Sequence, residues 1–156
     1  MILDIGCGTG LIAEKMPFRH YLGVDSDPQV IEIAQRKKIP NAIFTLTRVQ
    51  DYDFSKIRPT KAVLNGVLHH LNDEDAVALL RTLCKTGAQT IVTMDAVYSK
   101  FHLLNNLLCK LDRGEYVRNE PAMVQLIEKA GLRIETKQLA YSNTAITKYI
   151  AFRLTP

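Results

Sequence analysis

Short apolar runs alternate along the chain with longer stretches in which apolar residues return every three or four positions, the pattern of strands alternating with helices. Met1–Ile5, Tyr21–Asp25, Ala42–Leu46, Lys61–Leu64 and Thr90–Met94 read as strands. Leu11–Met16, ended by Pro17, and the stretches Pro28–Lys38 and Asp73–Lys85 read as helices. Asp27 stands as N-cap before a proline at the first helical position, and Asp73-Glu74-Asp75 puts negative charge at the positive end of a helix dipole. Phe101, Leu104, Leu107, Leu108 and Leu111 recur at helical spacing, and a further helix, Pro121–Ala130, stops at Gly131. Two strands, Leu132–Ala140 and Ala145–Leu154, close the sequence.

Strands separated by helices pair in parallel through right-handed crossovers, whereas two strands joined by a few residues form an antiparallel hairpin. The predicted fold class is α/β: a three-layer, doubly wound, seven-stranded sheet, mostly parallel, with an antiparallel last strand. Residues 1–156 are expected to form a single domain, and positions 97–120 an insertion longer than an ordinary connection, a candidate lid. The leucine stripe within it is expected to dock on the core, the usual fate of such a stripe.

An apolar share of 47% with 23% charged residues excludes a disordered or fibrous chain. The net charge of +4 is not gathered into a basic run longer than Lys37-Lys38, so a nucleic-acid partner is not indicated. No stretch reaches transmembrane length and the first residues lack a signal-peptide pattern, so no membrane association and a cytoplasmic location are expected. Three cysteines, Cys7, Cys84 and Cys109, are an odd number without zinc-type spacing, as in a reducing compartment.

Gly6, Gly8 and Gly10 lie between the first strand and helix, where bare backbone approaches a ligand and a helix start offers unpaired N–H groups. The spacing is G-x-G-x-G, because Leu11 stands where a dinucleotide fingerprint needs its third glycine. Asp25 ends the second strand about twenty residues on, where a carboxylate accepts hydrogen bonds from ribose hydroxyls.

With these features, Leu3-Asp4-Ile5-Gly6-Cys7-Gly8-Thr9-Gly10 resembles the first motif of class I S-adenosylmethionine-dependent methyltransferases. Gly23-Val24-Asp25 is similar to their ribose-binding acidic motif, and Val67-Leu68-His69-His70-Leu71 with Asp73 to the segment after their fourth strand. The resemblance runs through nearly the whole chain and implies a Rossmann-like sheet with the cofactor S-adenosylmethionine across its carboxyl edge. It implies that Gly6, Cys7, Gly8 and Gly10 pass beneath the methionine part with Asp4 near the amino-acid end, and that Asp25 and Ser26 hold the ribose. Arg48-Val49 would stand at the adenine, where many relatives have an acid; Asp51 is the nearest carboxylate, and the Val49 N–H is the alternative donor. Asn65-Gly66 would close the site. The chain departs from the family in the helical cover that usually precedes the first strand, which it is expected to lack.

The resemblance implies methyl transfer to a small organic acceptor, through its oxygen, nitrogen or carbon. Such a displacement needs positioning more than a nucleophile, and a base helps when the acceptor is a hydroxyl or amine. His69 or His70 has a side chain suited to that task; adjacent histidines make a poor metal pair, and no metal is expected. Asp112–Arg118 resembles a segment of bacterial methyltransferases, so Arg113, Tyr116 and Arg118 are candidate acceptor contacts. The competing reading is an Asp112–Arg113 or Glu115–Arg118 structural ion pair. Alternatives are an RNA or protein methyltransferase, or a non-catalytic methyltransferase-like binding or scaffold subunit. Against base methylation stand Asn65-Gly66-Val67-Leu68 in place of an N-P-P-Y-like loop, cysteines Cys84 and Cys109 outside any active-site loop, and the absence of tryptophan. The sequence leaves the oligomeric state open.

Overall fold

The computed structural model describes residues 1–99, 103–111, 115–141 and 146–156. In chain order the elements are β1 (Ile2–Ile5), α1 (Leu11–Lys15), β2 (Tyr21–Asp25), α2 (Pro28–Arg36), β3 (Ala42–Leu46), β4 (Lys61–Asn65) and α3 (Asp73–Lys85). There follow β5 (Thr90–Tyr98), α4 (Leu103–Leu111), β6 (Arg118–Asn119), α5 (Glu120–Lys129), β7 (Arg133–Tyr141) and β8 (Lys148–Thr155). Local chemistry starts the helices where the sequence marks them. Asp27 accepts from the Gln29 N–H (2.8 Å) ahead of Pro28, Asn72 from Asp75 (2.9 Å), and Asn119 from Ala122 (3.0 Å).

The sheet runs β3-β2-β1-β4-β5-β8-β7, with two-residue β6 paired in parallel to the end of β5. β8 is antiparallel to both β5 and β7, so the last strand lies inside the sheet and β7 forms its edge. That edge carries the exposed charges Arg133, Glu135 and Lys137, which discourage pairing with another chain. Strand order reverses between β1 and β4, which makes the crevice outside their carboxyl ends the natural ligand position of an open α/β sheet.

Alternating side chains divide the core. Leu3, Ile5, Leu22, Val24, Leu64 and Ile91 face α3 and α5, while Tyr21 and Phe44 on the opposite face pack with Ala13 of α1 and Ile31 and Ala34 of α2. No helix among the described residues is long and apolar enough to cross a membrane.

Two elements differ from the sequence reading. β5 continues four residues past Met94, because β8 goes on supplying partners (Asp95↔Ile150, Ala96↔Tyr149) where β4 has ended at Asn65. Part of the segment expected as insertion is therefore strand. α4 forms, but inverted relative to the expectation that its leucines dock: Leu103 is 85% exposed, and Leu104, Leu107 and Leu108 also face out. Its asparagines hold it instead. Asn105 donates to the Val97 carbonyl (2.9 Å) and accepts from the Lys148 N–H (2.7 Å), while Asn106 accepts from the Ser99 N–H (2.8 Å) and donates to its carbonyl (2.9 Å). These bonds satisfy backbone groups where the β5–β8 ladder stops, which outweighs docking of the apolar face. Phe101 lies outside the described residues.

Candidate cofactor and acceptor site

The turn after β1 is built by hydrogen bonds from the Gly6 and Cys7 N–H groups to the Val24 carbonyl (2.8 and 3.1 Å), which bring the loop over the end of β2. Its three glycines all have positive φ, for different steric reasons. A Cβ on Gly6 would stand 2.7 Å from Val67 and one on Gly10 2.8 Å from Phe44, whereas one on Gly8 would meet nothing within 4 Å. Gly6 and Gly10 thus serve packing, and Gly8 leaves open space above the loop.

The Gly8 N–H donates to Asp25 Oδ2 at 2.8 Å, and the Asp27 N–H to Oδ1 at 3.0 Å. A carboxylate offers about four acceptor sites, so roughly two remain for a ligand. A cleft of about 550 Å³ opens here, and Gly6, Asp25, Ser26, Arg48, Val49 and Gly66 are on its wall. That volume falls within the roughly 300–1,000 Å³ of small-molecule sites. The remaining positions implied by the resemblance stand off this wall. Asn65 has an exposed side chain at the end of β4, Cys7 is buried beside Gly23 with its thiol pushed up to about 12 chiefly by burial, and Gly10 is buried under α1.

Asp4 lies beneath the loop, fully buried, accepting a short hydrogen bond from the Tyr21 hydroxyl through Oδ2, while Oδ1 has no partner among the described residues. Burial, opposed by the Tyr21 bond and reinforced by the nearby Asp25 charge, raises this carboxyl to about 7.

On the far side of Gly66, a short 3-10 turn (Leu68–His70) sets the two histidines apart. His70 is exposed and lines the cleft; His69 is 7% exposed and its Nδ1 stands 2.8 Å from Asp95 Oδ1. The His69 N–H also donates to that oxygen (3.2 Å), and the two rings lie 4.1 Å apart. The sequence pattern ends this strand at Met94 and so leaves Asp95 out of the site; its one signal is a carboxylate inside the apolar run Ile91–Val97. Tyr21 is left out too, because nothing local links it to Asp4.

Among the proposed acceptor contacts, Tyr116 is exposed and its N–H donates to the His69 carbonyl (2.9 Å), which brings this segment against the histidine turn. Arg113 lies outside the described residues. Arg118 is corrected: it is 8% exposed, and its guanidinium donates to the carbonyls of Leu68 (2.7 Å), Leu71 (2.7 Å) and Tyr116 (3.1 Å) and to Asp73 (2.8 Å). A fork so engaged clamps the histidine turn to the start of α3 and leaves no face for an anionic acceptor. Its ion-pair partner is Asp73, not Glu115.

A family model described as a methyltransferase domain matches residues 2–88. No curated protein sequence matches the chain. Among solved structures, magnesium protoporphyrin IX methyltransferase from Synechocystis, with S-adenosylhomocysteine bound, is similar at TM-score 0.76 and 16% identity, over 99% of this chain and 73% of that one. Human N-acetylserotonin methyltransferase in complex with S-adenosylmethionine gives TM-score 0.72 at 22% identity, and the mitomycin 7-O-methyltransferase 0.72 at 20%. This chain spans 46% and 48% of the length of those two. At such identities the likeness establishes a shared fold.

Proposed function

The chain belongs to the methyltransferase-domain family, whose enzymes take their methyl group from S-adenosylmethionine, and we propose that it passes this group to a hydroxyl or amine of a small organic acceptor. The observation that carries the cofactor reading is the Gly8–Asp25 hydrogen bond, which joins the glycine loop to the carboxylate at the rim of the cleft. The residues present fit that cofactor. Gly8 leaves a cradle that a Cβ would fill, Asp25 keeps acceptor capacity for two ribose hydroxyls, and Asp4 has a buried oxygen in need of a donor. Gly6 and Gly8 would support the methionine part, with Cys7 and Gly10 buried in the loop beneath it, Asp25 and Ser26 the ribose, Arg48 and Val49 the adenine, and Asn65-Gly66 the side towards the acceptor.

When bound, the cofactor supplies a sulfonium methyl group already activated for displacement. The chain's own task is to hold the acceptor in line, exclude water and take up a proton. His69 is the candidate base. The proton that the acceptor oxygen or nitrogen loses as its bond to carbon forms would pass to one of the two histidines, and Asp95, 2.8 Å from His69 Nδ1, would stabilise an imidazolium at His69. His70, on the cleft wall, is the second histidine to test. The small-molecule acceptor is supported by Asn65-Gly66-Val67-Leu68, which stands after β4 in place of a base-stacking loop, and by the similar enzymes, which act on a porphyrin, a mitomycin and N-acetylserotonin. A reducing, cytoplasmic setting suits three cysteines without a disulfide.

Calorimetric titration with S-adenosylmethionine and S-adenosylhomocysteine tests the cofactor assignment; binding of neither overturns it. Transfer of a labelled methyl group to a panel of small phenols, alcohols and amines tests the acceptor class. His69→Asn is expected to lower turnover roughly 10²-fold or more with donor affinity preserved. Unchanged turnover in both His69→Asn and His70→Asn removes the base from the mechanism.

A further inference from the structure

We propose that Tyr21 is a positioning residue for the cofactor's amino-acid end: its hydroxyl holds one oxygen of Asp4 and thereby turns the other towards the α-ammonium group. The inference rests on the assignment of the cleft to S-adenosylmethionine.

Register brings the two residues together. Asp4 stands opposite Gly23 in the parallel β1–β2 ladder, and Tyr21, two positions earlier, shares its face as the diagonal neighbour. Gly23 has no side chain, and the space beside it is taken by Cys7 and Phe44, which a Cβ there would meet at 2.8 Å. The ring is itself fixed, 2% exposed and packed against Phe18 (centroids 5.1 Å) and Phe44 (5.8 Å). Phe44 also sits under Gly10, so the aromatic group that orients the tyrosine is the one that supports the loop.

Asp4 is short of one donor and of a positive charge. Among the described residues its side chain has a single hydrogen bond, from Tyr21, and enters no ion pair, while Oδ1 is buried without a partner. A carboxylate is not kept in such a place without compensation. Its acidity, pushed up to about 7, reflects the same deficit. The titratable groups around it are Tyr21, Cys7 and Asp25, none of them a cation. Asp4 precedes Ile5 and Gly6, both on the cleft wall, so a cationic group at the loop is the nearest one a bound cofactor can offer, directly or through one water. A phenylalanine would pack as the tyrosine does, yet leave both carboxylate oxygens without a donor and the acid more firmly protonated.

The test compares two ligands on the whole chain by calorimetry: S-adenosylhomocysteine, which carries the ammonium, and 5′-methylthioadenosine, which lacks the amino-acid part. Tyr21→Phe is expected to weaken S-adenosylhomocysteine about tenfold, the scale of one charge-assisted hydrogen bond, and to leave 5′-methylthioadenosine within twofold. Asp4→Asn is expected to abolish the preference between the ligands. Equal loss of both ligands in Tyr21→Phe would make the tyrosine a packing residue and overturn the proposal, as would unchanged S-adenosylhomocysteine affinity. A wild-type chain that binds neither ligand removes the cofactor assignment itself. One that binds both while Tyr21→Phe discriminates nothing removes only this inference.

Discussion

Arg118→Ala separates a clamp from an acceptor contact, because the two roles predict opposite pairs of measurements. Arg118 is 8% exposed, and its guanidinium donates to the carbonyl oxygens of Leu68 and Leu71, both at 2.7 Å. Removal leaves those carbonyls without their charged donor, at about 1.5 kcal/mol each for groups in the interior. The Asp73 side chain is 68% exposed, so that ion pair adds at most about 1 kcal/mol and its carboxylate rehydrates. The sum is a loss of about 3–4 kcal/mol, or roughly 6–15 °C in Tm for a domain of this size. Urea unfolding followed by far-UV circular dichroism reads it. Arg118→Lys keeps the charge without the fork and is expected to recover less than half. A loss under about 1 kcal/mol in Arg118→Ala, with full donor affinity and selective failure of methyl transfer, would refute the clamp and return Arg118 to the acceptor.

Asp25→Ala is expected to weaken S-adenosylmethionine by about 1.5–3 kcal/mol, or roughly 10- to 150-fold, with the fold retained; unchanged affinity by calorimetry rejects the ribose assignment. Asp4 makes a prediction in pH. Its ordinary value is 3.8 and its folded value about 7, so between these the unfolded chain has lost a proton that the folded chain keeps. Stability from this group is complete below 3.8, falls as pH rises through the window, and is flat above about 7. Cys7 and Tyr21 are both pushed up, away from this window, and Asp4→Asn removes the Asp4 titration. Wild type should therefore lose stability relative to Asp4→Asn between pH 3.8 and about pH 7, with no further change above it; a difference independent of pH contradicts the buried acid.

What was legible in the sequence was what short-range chemistry determines. Strand and helix periods, the Asp27-Pro28 start of α2, the Gly131 stop of α5 and the glycine turn joining β1 to α1 depend on residues within a few positions of one another. That the glycine loop and Asp25 belong to one site was legible too, because the parallel pairing of consecutive strands places their tips side by side; the Gly8 N–H bond that joins them was not. His69 and His70 could be found but not told apart, since their difference lies in Asp95, which reaches His69 only because β8 carries β5 beyond β4. Arg118 sits in a segment that reads as acceptor-facing, yet three of its four partners lie 45 to 50 positions away. The leucines of α4 read as core, and two asparagines reversed the helix by satisfying the ends of strands that the helix itself does not contain. By itself, then, the sequence determined the elements, their order and the cofactor loop. Register, strand length and the demand of buried polar groups for partners decided which side chain meets which, and those terms exist only once the sheet is assembled.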